Sequence, residues 1–204
     1  TSFENNSKYY YNSSMLIIPQ KKFELYSKIH LVPFAEYDLL PSIFHPLTKL
    51  NINIDRGNFK SGNNYKVFKH ENLIFSNLIC YESSIPKISR TFVSKGAEFL
   101  IIQANDGWLG SSFGPYQHFE LARLRAIENR ISIVRCANTG ISGIINIDGS
   151  VKMKVKLNEE KIIFDSISSN KNGSFYTKYG DIFAISISII ILVLISYKCR
   201  KYFY

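Results

Sequence analysis

The sequence predicts an α/β layered domain followed by one membrane-spanning helix. Two patterns carry that expectation. Short apolar or alternating runs are interleaved with helical stripes over residues 1–165. A run without a single charge, residues 182–197, then stands between Asp181 and Lys198. The length of 204 residues suits one ordinary domain. With 46% hydrophobic and 20% charged residues, the composition is globular rather than disordered.

The elements follow in chain order. Residues 9–18 form a first strand candidate, broken by Pro19 and the polar residues through Lys22. Residues 73–80 are an apolar run bounded by polar residues, the pattern of a buried strand. Ser83 and Ser84 offer an N-cap and Pro86 an early-turn proline, and Ile88, Phe92 and Val93 make a helical stripe that ends at Gly96. Residues 98–103 are a further strand, and 114–130 a helix with Phe119, Ala122 and Ala126 on one face. Strands at 131–137 and 141–148 are separated by Asn138, Thr139 and Gly140. Asp148 and Gly149 form a hairpin turn into the alternating Val151, Met153, Val155 and Leu157. Residues 166–180 read as a polar linker, 181–197 as the transmembrane helix and 198–204 as a basic tail.

Charge and cysteine usage exclude several classes. Lys+Arg number 25 and Asp+Glu 16, a net charge of +9. Three of those positive charges, Lys198, Arg200 and Lys201, directly follow the apolar run, and Lys152, Lys154 and Lys156 fall on alternate positions of a strand. That distribution does not make a phosphate-tracking groove, so no nucleic-acid partner is expected. The basic tail instead marks the cytoplasmic side, which puts the domain across the membrane from it. Tyr179, Tyr197 and Tyr202 suit the two interfaces, and Ser186 and Ser188 can bond back to their own helix. The three cysteines (Cys80, Cys136, Cys199) contain no C-x-x-C pair, and the four histidines show no H-x-x-x-H spacing. Neither a disulfide scaffold nor a metal site is therefore expected.

Three clusters carry candidate chemistry. Cys80 ends a buried strand ahead of Tyr81, Glu82 and a helix start, a turn that would expose a thiol near a helix N-terminus. Lys28 and Glu36 flank an apolar stretch and can bring a cation and a carboxylate into one pocket, where the cation would stabilise an oxyanion formed during acyl transfer. Asn105, Asp106, Gly107, Trp108 and Gly110 make a loop directly after a strand, with the only tryptophan in it. His118 reads as a hydrogen-bonding core histidine, Arg123, Arg125 and Arg130 as ion-pairing residues on a helix face, and Cys136 as a buried strand residue.

Taken in order, these clusters resemble the bacterial apolipoprotein N-acyltransferase family, a membrane branch of the nitrilase (carbon–nitrogen hydrolase) superfamily. The resemblance covers residues 9–150. It lies in Lys28, His30, Leu31, Val32, Pro33, Phe34, Glu36 and Tyr37, then Cys80, Tyr81 and Glu82. It continues in Asn105, Asp106, Trp108, Gly110, Ser112, Gly114, Pro115, Gln117 and His118, then Arg125, Ala126 and Glu128. Arg135, Ala137, Asn138, Thr139, Gly140, Ile141 and Ser142 complete it.

The resemblance implies a nitrilase-like α-β-β-α sandwich, partial here, on the periplasmic side of the bacterial inner membrane, with the C-terminus cytoplasmic. It implies that Cys80 takes an acyl chain from a phospholipid donor as a thioester. The chain then passes to the free α-amine of a diacylglyceryl-cysteine on an apolipoprotein acceptor. Lys28 would stabilise the oxyanion, Glu36 and Glu82 would support the site, and Tyr81 and Trp108 would shape the acyl pocket. No cofactor is implied. The superfamily's general-base glutamate lies upstream of the lysine, and Glu4 and Glu24 lack its context. Together with the start at Thr1, this leads to the expectation of a C-terminal portion that is inactive alone. A nitrilase-superfamily amidohydrolase and a non-catalytic membrane-anchored remnant are the alternatives.

Overall fold

The structure, a computed structural model, describes residues 2–3, 9–33, 35–37, 59–110 and 112–203. Glu4, Phe34 and His45 lie outside the described residues. The central element is a six-stranded mixed sheet in the order β10-β9-β8-β7-β6-β5. Its strands are β5 (Phe68–His70), β6 (Leu73–Ile79), β7 (Phe99–Ala104), β8 (Ser132–Ala137), β9 (Ser142–Ile145) and β10 (Val151–Val155). Strands β6, β7 and β8 are parallel, and antiparallel strands complete both edges.

Helices α1 (Pro86–Ser94) and α2 (Gly114–Asn129) supply the crossovers between the parallel strands. They bury Ile88, Phe92, Phe119, Ala122 and Ala126 in one cluster with Leu78, Leu100, Ile102 and Ile133 of the sheet. A two-stranded ribbon of β3 (Ser13–Leu16) and β4 (Glu24–Ser27) faces the sheet's other side. There Ser14, Met15 and Leu16 line a crevice together with Phe75, Asn77, Ile101 and Gln103. The layers therefore run helix, sheet, ribbon, as part of an α-β-β-α arrangement would.

Most expected elements are present, with local differences. The first strand candidate is split into β2 (Tyr10–Tyr11) and β3: Lys28 N donates to the Asn12 carbonyl at 2.8 Å in register with the β3–β4 pair, and the residues before Asn12 pair elsewhere. The β2 strand pairs with β1 (Ser2–Phe3). Neither Ser83 nor Ser84 caps α1: both lie in a 3-10 turn, Cys80–Ser84, and Ile85 is the N-cap ahead of Pro86. Cys136 is exposed, not buried. Alternation along β8 turns Arg135 into the core and Cys136 to the opposite face.

Residues 166–180 are docked on the domain. Ser132 Oγ donates to Ser168 O at 2.7 Å, and Asn170 N donates to Glu98 O at 3.1 Å. Within the segment lies a short helix, α3 (Phe175–Tyr179), capped by Ser174. Arg90 of α1 grips the carbonyls of Tyr176, Thr177 and Lys178, and Thr177 Oγ1 donates to Asn129 Oδ1 at 3.1 Å. The last helix, α4 (Ile182–Phe203), follows two residues later. Its 22 residues extend about 33 Å at ~1.5 Å per residue. Its segment Ile182–Arg200 is long and apolar enough to cross a membrane and is not buried against the domain. Ser186 and Ser188 bond back to the carbonyls of Ile182 and Ala184, both at 2.8 Å.

Ile102, in the middle of β7, is fully buried in this core. Ile102→Ala in the detergent-solubilised protein is expected to lower the unfolding free energy by about 2–5 kcal/mol, measured as a lower denaturation midpoint with an unchanged m-value.

Candidate active site

In open α/β sheets, sites form beyond the carboxyl ends of the parallel strands. The register brings three such ends level here, with Ile79 opposite Gln103 and Gln103 opposite Cys136. Cys80 leaves β6, Asn105 and Asp106 leave β7, and Asn138 and Thr139 leave β8. Cys80 Sγ lies 3.8 Å from the carbonyl of Asn105. Asn105 Oδ1 accepts from Asn138 Nδ2 at 2.7 Å and from Gly107 N at 3.2 Å, which ties the loops after β7 and β8 together.

Cys80 is half-buried and has φ 51°. That left-handed conformation costs a non-glycine residue about 1–3 kcal/mol and persists only where the surroundings enforce it. The enforcing contacts are specific. Ser83 Oγ donates to the Cys80 carbonyl at 2.8 Å. Glu82 Oε2 accepts from Ile79 N at 2.8 Å, one residue ahead of Cys80. The 3-10 turn separates Cys80 from the first turn of α1, so the direct strand-to-helix step expected from sequence is absent.

Glu82 joins this turn to the lysine segment. Its buried carboxylate accepts four hydrogen bonds: Oε2 from Ile79 N, and Oε1 from Tyr26 OH at 2.7 Å, Ile29 N at 2.8 Å and His30 N at 3.2 Å. Burial pushes its carboxyl above the ordinary glutamate value against the pull of those donors. Burial and the adjacent Glu82 likewise push the Tyr26 phenol up, so it remains a donor. Lys28 is 1% exposed and ion-paired to Glu36 Oε2 at 2.7 Å. Glu36 also accepts from Val32 N at 2.7 Å and Asn12 Nδ2 at 2.9 Å. The expected Lys28–Glu36 pair is thus formed, and Glu82 anchors the backbone immediately after Lys28 to the turn that carries Cys80. A cavity of about 400 Å³ opens on the same segment, lined by Ile29, His30, Leu31, Tyr37, Phe59, Lys60 and Ser61.

A second buried cluster backs the turn. Asp106 Oδ1 lies 2.8 Å from His118 Nδ1, and its Oδ2 accepts from Arg135 Nη2 at 2.7 Å. His118 Nε2 lies 2.8 Å from Ser83 Oγ and 3.1 Å from the Cys80 carbonyl. Burial works against an ionised Asp106, but the His118 bond and the Arg135 charge outweigh it and hold the carboxyl below the ordinary aspartate value. Cys80, Asp106 and His118 also bring possible metal-ligand atoms within 4.8 Å of one another. The carboxylate is already neutralised by the Arg135 guanidinium, which makes the cluster a poor cation site.

His118 is the core histidine expected, and the roles of Asp106 and Arg135 are new. Their signal in the sequence was faint: an arginine at a core-facing strand position, where an unpaired charge would not be tolerated. Arg125 pairs with Glu128 at 2.6 Å and also donates to Ser84 O at 3.1 Å, so it is buried against the turn rather than lying on an open helix face. Arg123 pairs with Glu120 at 2.6 Å, and Arg130 ends α2 in a left-handed conformation. Tyr81 is half-buried beside Cys80. Trp108 does not sit in an enclosed pocket: it is 63% exposed on the 3-10 turn Gly107–Leu109, on the same loop as the 82% exposed Phe113.

The fold and this site define a class. The family model for carbon–nitrogen hydrolases matches residues 1–175, and the chain belongs to that family. Its relatives narrow the comparison. The chain is 41% identical over 184 residues to the apolipoprotein N-acyltransferase of Rickettsia bellii, covering 89% of this chain and 36% of that protein. It is 36% identical over 176 residues to that of Geobacter metallireducens, covering 86% of this chain and 33% of the other. The chain thus spans about a third of the length of these relatives. Among solved structures, the carbon–nitrogen hydrolase from Helicobacter pylori G27 shares the fold with a TM-score of 0.60 at 17% identity, over 78% of this chain and 57% of that one. Saccharomyces cerevisiae Nit3, of the nitrilase superfamily, gives 0.53 at 21% identity, over 74% and 51%.

Two outcomes test the geometry. Glu82→Ala strips the common acceptor from four donors, so the Ile29 and His30 amides should exchange hydrogen much faster than in the wild type. Amides of the α2 core should be spared, as peptide-resolved hydrogen exchange will register. For Asp106 the folded value is below the unfolded one, so its stabilisation is complete above about pH 3.9 and is lost as pH falls through the folded value. Asp106→Asn should flatten that acid limb in melting temperature against pH, while lowering stability at neutral pH.

Proposed function

We propose that this chain carries the thiol acyl-transfer site of an apolipoprotein N-acyltransferase. The observation that carries the proposal is the buried Lys28–Glu36 pair held by Glu82 to the strained turn of Cys80. Cys80 sulfur attacks the ester carbonyl of a phospholipid, an S–C bond forms, and the C–O bond to glycerol breaks. The lysophospholipid leaves with the proton given up by the thiol. The α-amine of a diacylglyceryl-cysteine then attacks the thioester, an N–C bond forms, the S–C bond breaks, and the thiol recovers a proton. In both halves Lys28 offsets the negative charge that develops on the carbonyl oxygen, a contribution typically worth 10²–10³ in rate, or roughly 3–4 kcal/mol.

Neither Glu36 nor Glu82 is free to accept the thiol proton. Each is committed to buried donors, and Glu36 additionally to the Lys28 cation. The general base is therefore assigned to a glutamate outside these residues. Lys28 to Glu36, Tyr81 and Glu82 form the support of the nucleophile. Trp108 and Phe113, exposed on the loop after β7, meet the acyl chain as it arrives rather than enclosing it. Helix α4 is assigned as a span of the bacterial inner membrane, its length matching a ~30 Å hydrocarbon core. Lys198, Arg200 and Lys201 face the cytoplasm and the domain faces the periplasm. No metal or organic cofactor enters the reaction, since the thioester itself carries the group.

Incubation of the full-length protein in detergent with acyl-labelled phospholipid should give a hydroxylamine-labile label that Cys80→Ala abolishes. Lys28→Ala should slow its formation by about 10²–10³-fold. A diacylglyceryl peptide with a free α-amine should discharge it into an amide-linked product. Discharge into water alone would favour an amidohydrolase, and a folded protein that takes no label would refute the acyl-transfer site. Labelling of the 204-residue chain alone would overturn the external base.

A further inference from the structure

The Asp106–His118–Arg135 cluster takes no part in the bond changes above, yet it ends on the backbone of the nucleophile. The chain of contacts begins on β9's approach, where Arg135 Nε donates to the Ile141 carbonyl at 3.1 Å. It passes through Arg135 Nη2 to Asp106 Oδ2 at 2.7 Å, and from Asp106 Oδ1 to His118 Nδ1 at 2.8 Å. It closes with His118 Nε2 at 3.1 Å from the Cys80 carbonyl and 2.8 Å from Ser83 Oγ. All three side chains are buried. Strand β8, the loop after β7 and helix α2 each contribute one of them, so movement of the Cys80 turn must disturb three separate elements.

We propose that Asp106, His118 and Arg135 are positioning residues that hold Cys80 in its left-handed conformation and thereby aim its thiol at the incoming carbonyl, a role that depends on the acyl-transfer function proposed above. Two further observations agree. The backbone of Gly140 lies so close to Asp106 that a Cβ there would collide with the carboxylate, so the Asp106 side chain is packed directly against the loop after β8. Arg135 is buried on β8 between Ile133 and Ala137, so the rigid centre of the sheet fixes the far end of the chain. His118 is the member that reaches the nucleophile, and its two nitrogens perform different tasks. One is held by Asp106, and the other supports the carbonyl and hydroxyl of the turn.

The asymmetry of the histidine sets the test. In the full-length protein, His118→Asn keeps a donor at the Nδ1 position but cannot reach the Cys80 carbonyl, whereas His118→Gln keeps an amide near the Nε2 position. His118→Asn is expected to lower kcat for acyl-thioester formation by about 100-fold with KM unchanged. His118→Gln should recover part of that loss. Alkylation of Cys80 by iodoacetamide, which needs exposure but little aim, should stay within about threefold of wild type in both, far less than the effect of losing alignment. A wild-type kcat in His118→Asn would overturn the proposal, as would a parallel fall in kcat, alkylation and melting temperature, the mark of a purely structural role. Absence of any thioester in the wild type would instead refute the acyl-transfer function, and the positioning role with it.

Discussion

One buried carboxylate organises the rest of the molecule. Glu82 accepts from Ile79 at the end of β6 and from Tyr26, Ile29 and His30 at the end of β4. These strands belong to different sheets, and nothing in their own ladders relates them. A carboxylate that accepts several backbone donors acts as a short, directional strut, because a displaced donor would be left buried and unpaired. Through it the segment after Lys28 and the turn at Cys80 are constrained together. The backbone that follows Lys28 and the turn that carries Cys80 are thus tied together although 52 positions separate these two residues in sequence, from 28 to 80.

Three ion pairs surround the site: Lys28 with Glu36, Arg135 with Asp106, and Arg125 with Glu128. Apolar residues of the same volume would often fold as well or better, since desolvating an ion pair costs about what its attraction returns. What fixed charges provide is orientation in a region of low dielectric, where little reorganisation is needed when charge develops on a substrate. The strained Cys80 backbone belongs to the same economy: a small, local cost sustained by a rigid surround.

The other end of the domain shows a different constraint. Arg90, Asn129 and Ser174 lock α3 onto α1 and α2, and α3 leads after two residues into α4. A docked helix transmits orientation where a free tether would not. The clamp therefore holds the chain to the domain up to two residues before α4, whose long apolar segment is left exposed.

The sequence by itself determined the elements whose signals are local. Apolar runs specified β6 and β7, Gly114-Pro115 and the spacing of Phe119, Ala122 and Ala126 specified α2, and the uncharged run specified α4. The motif around Lys28 and Glu36 also sufficed to pair the two. Tertiary structure alone decided the rest, because the causes are distant. The 3-10 turn replaced a direct strand-to-helix step because Glu82 has partners more than fifty positions away. The polar stretch at 166–180 became a docked segment because carbonyls of α3 meet Arg90, across a separation no local pattern records. Asp106, His118 and Arg135 became one network only when helix α2 and the loop after β7 came together at β8. Local propensity writes periodicity into neighbouring residues, but a hydrogen bond between distant segments leaves no mark on either until the chain has folded.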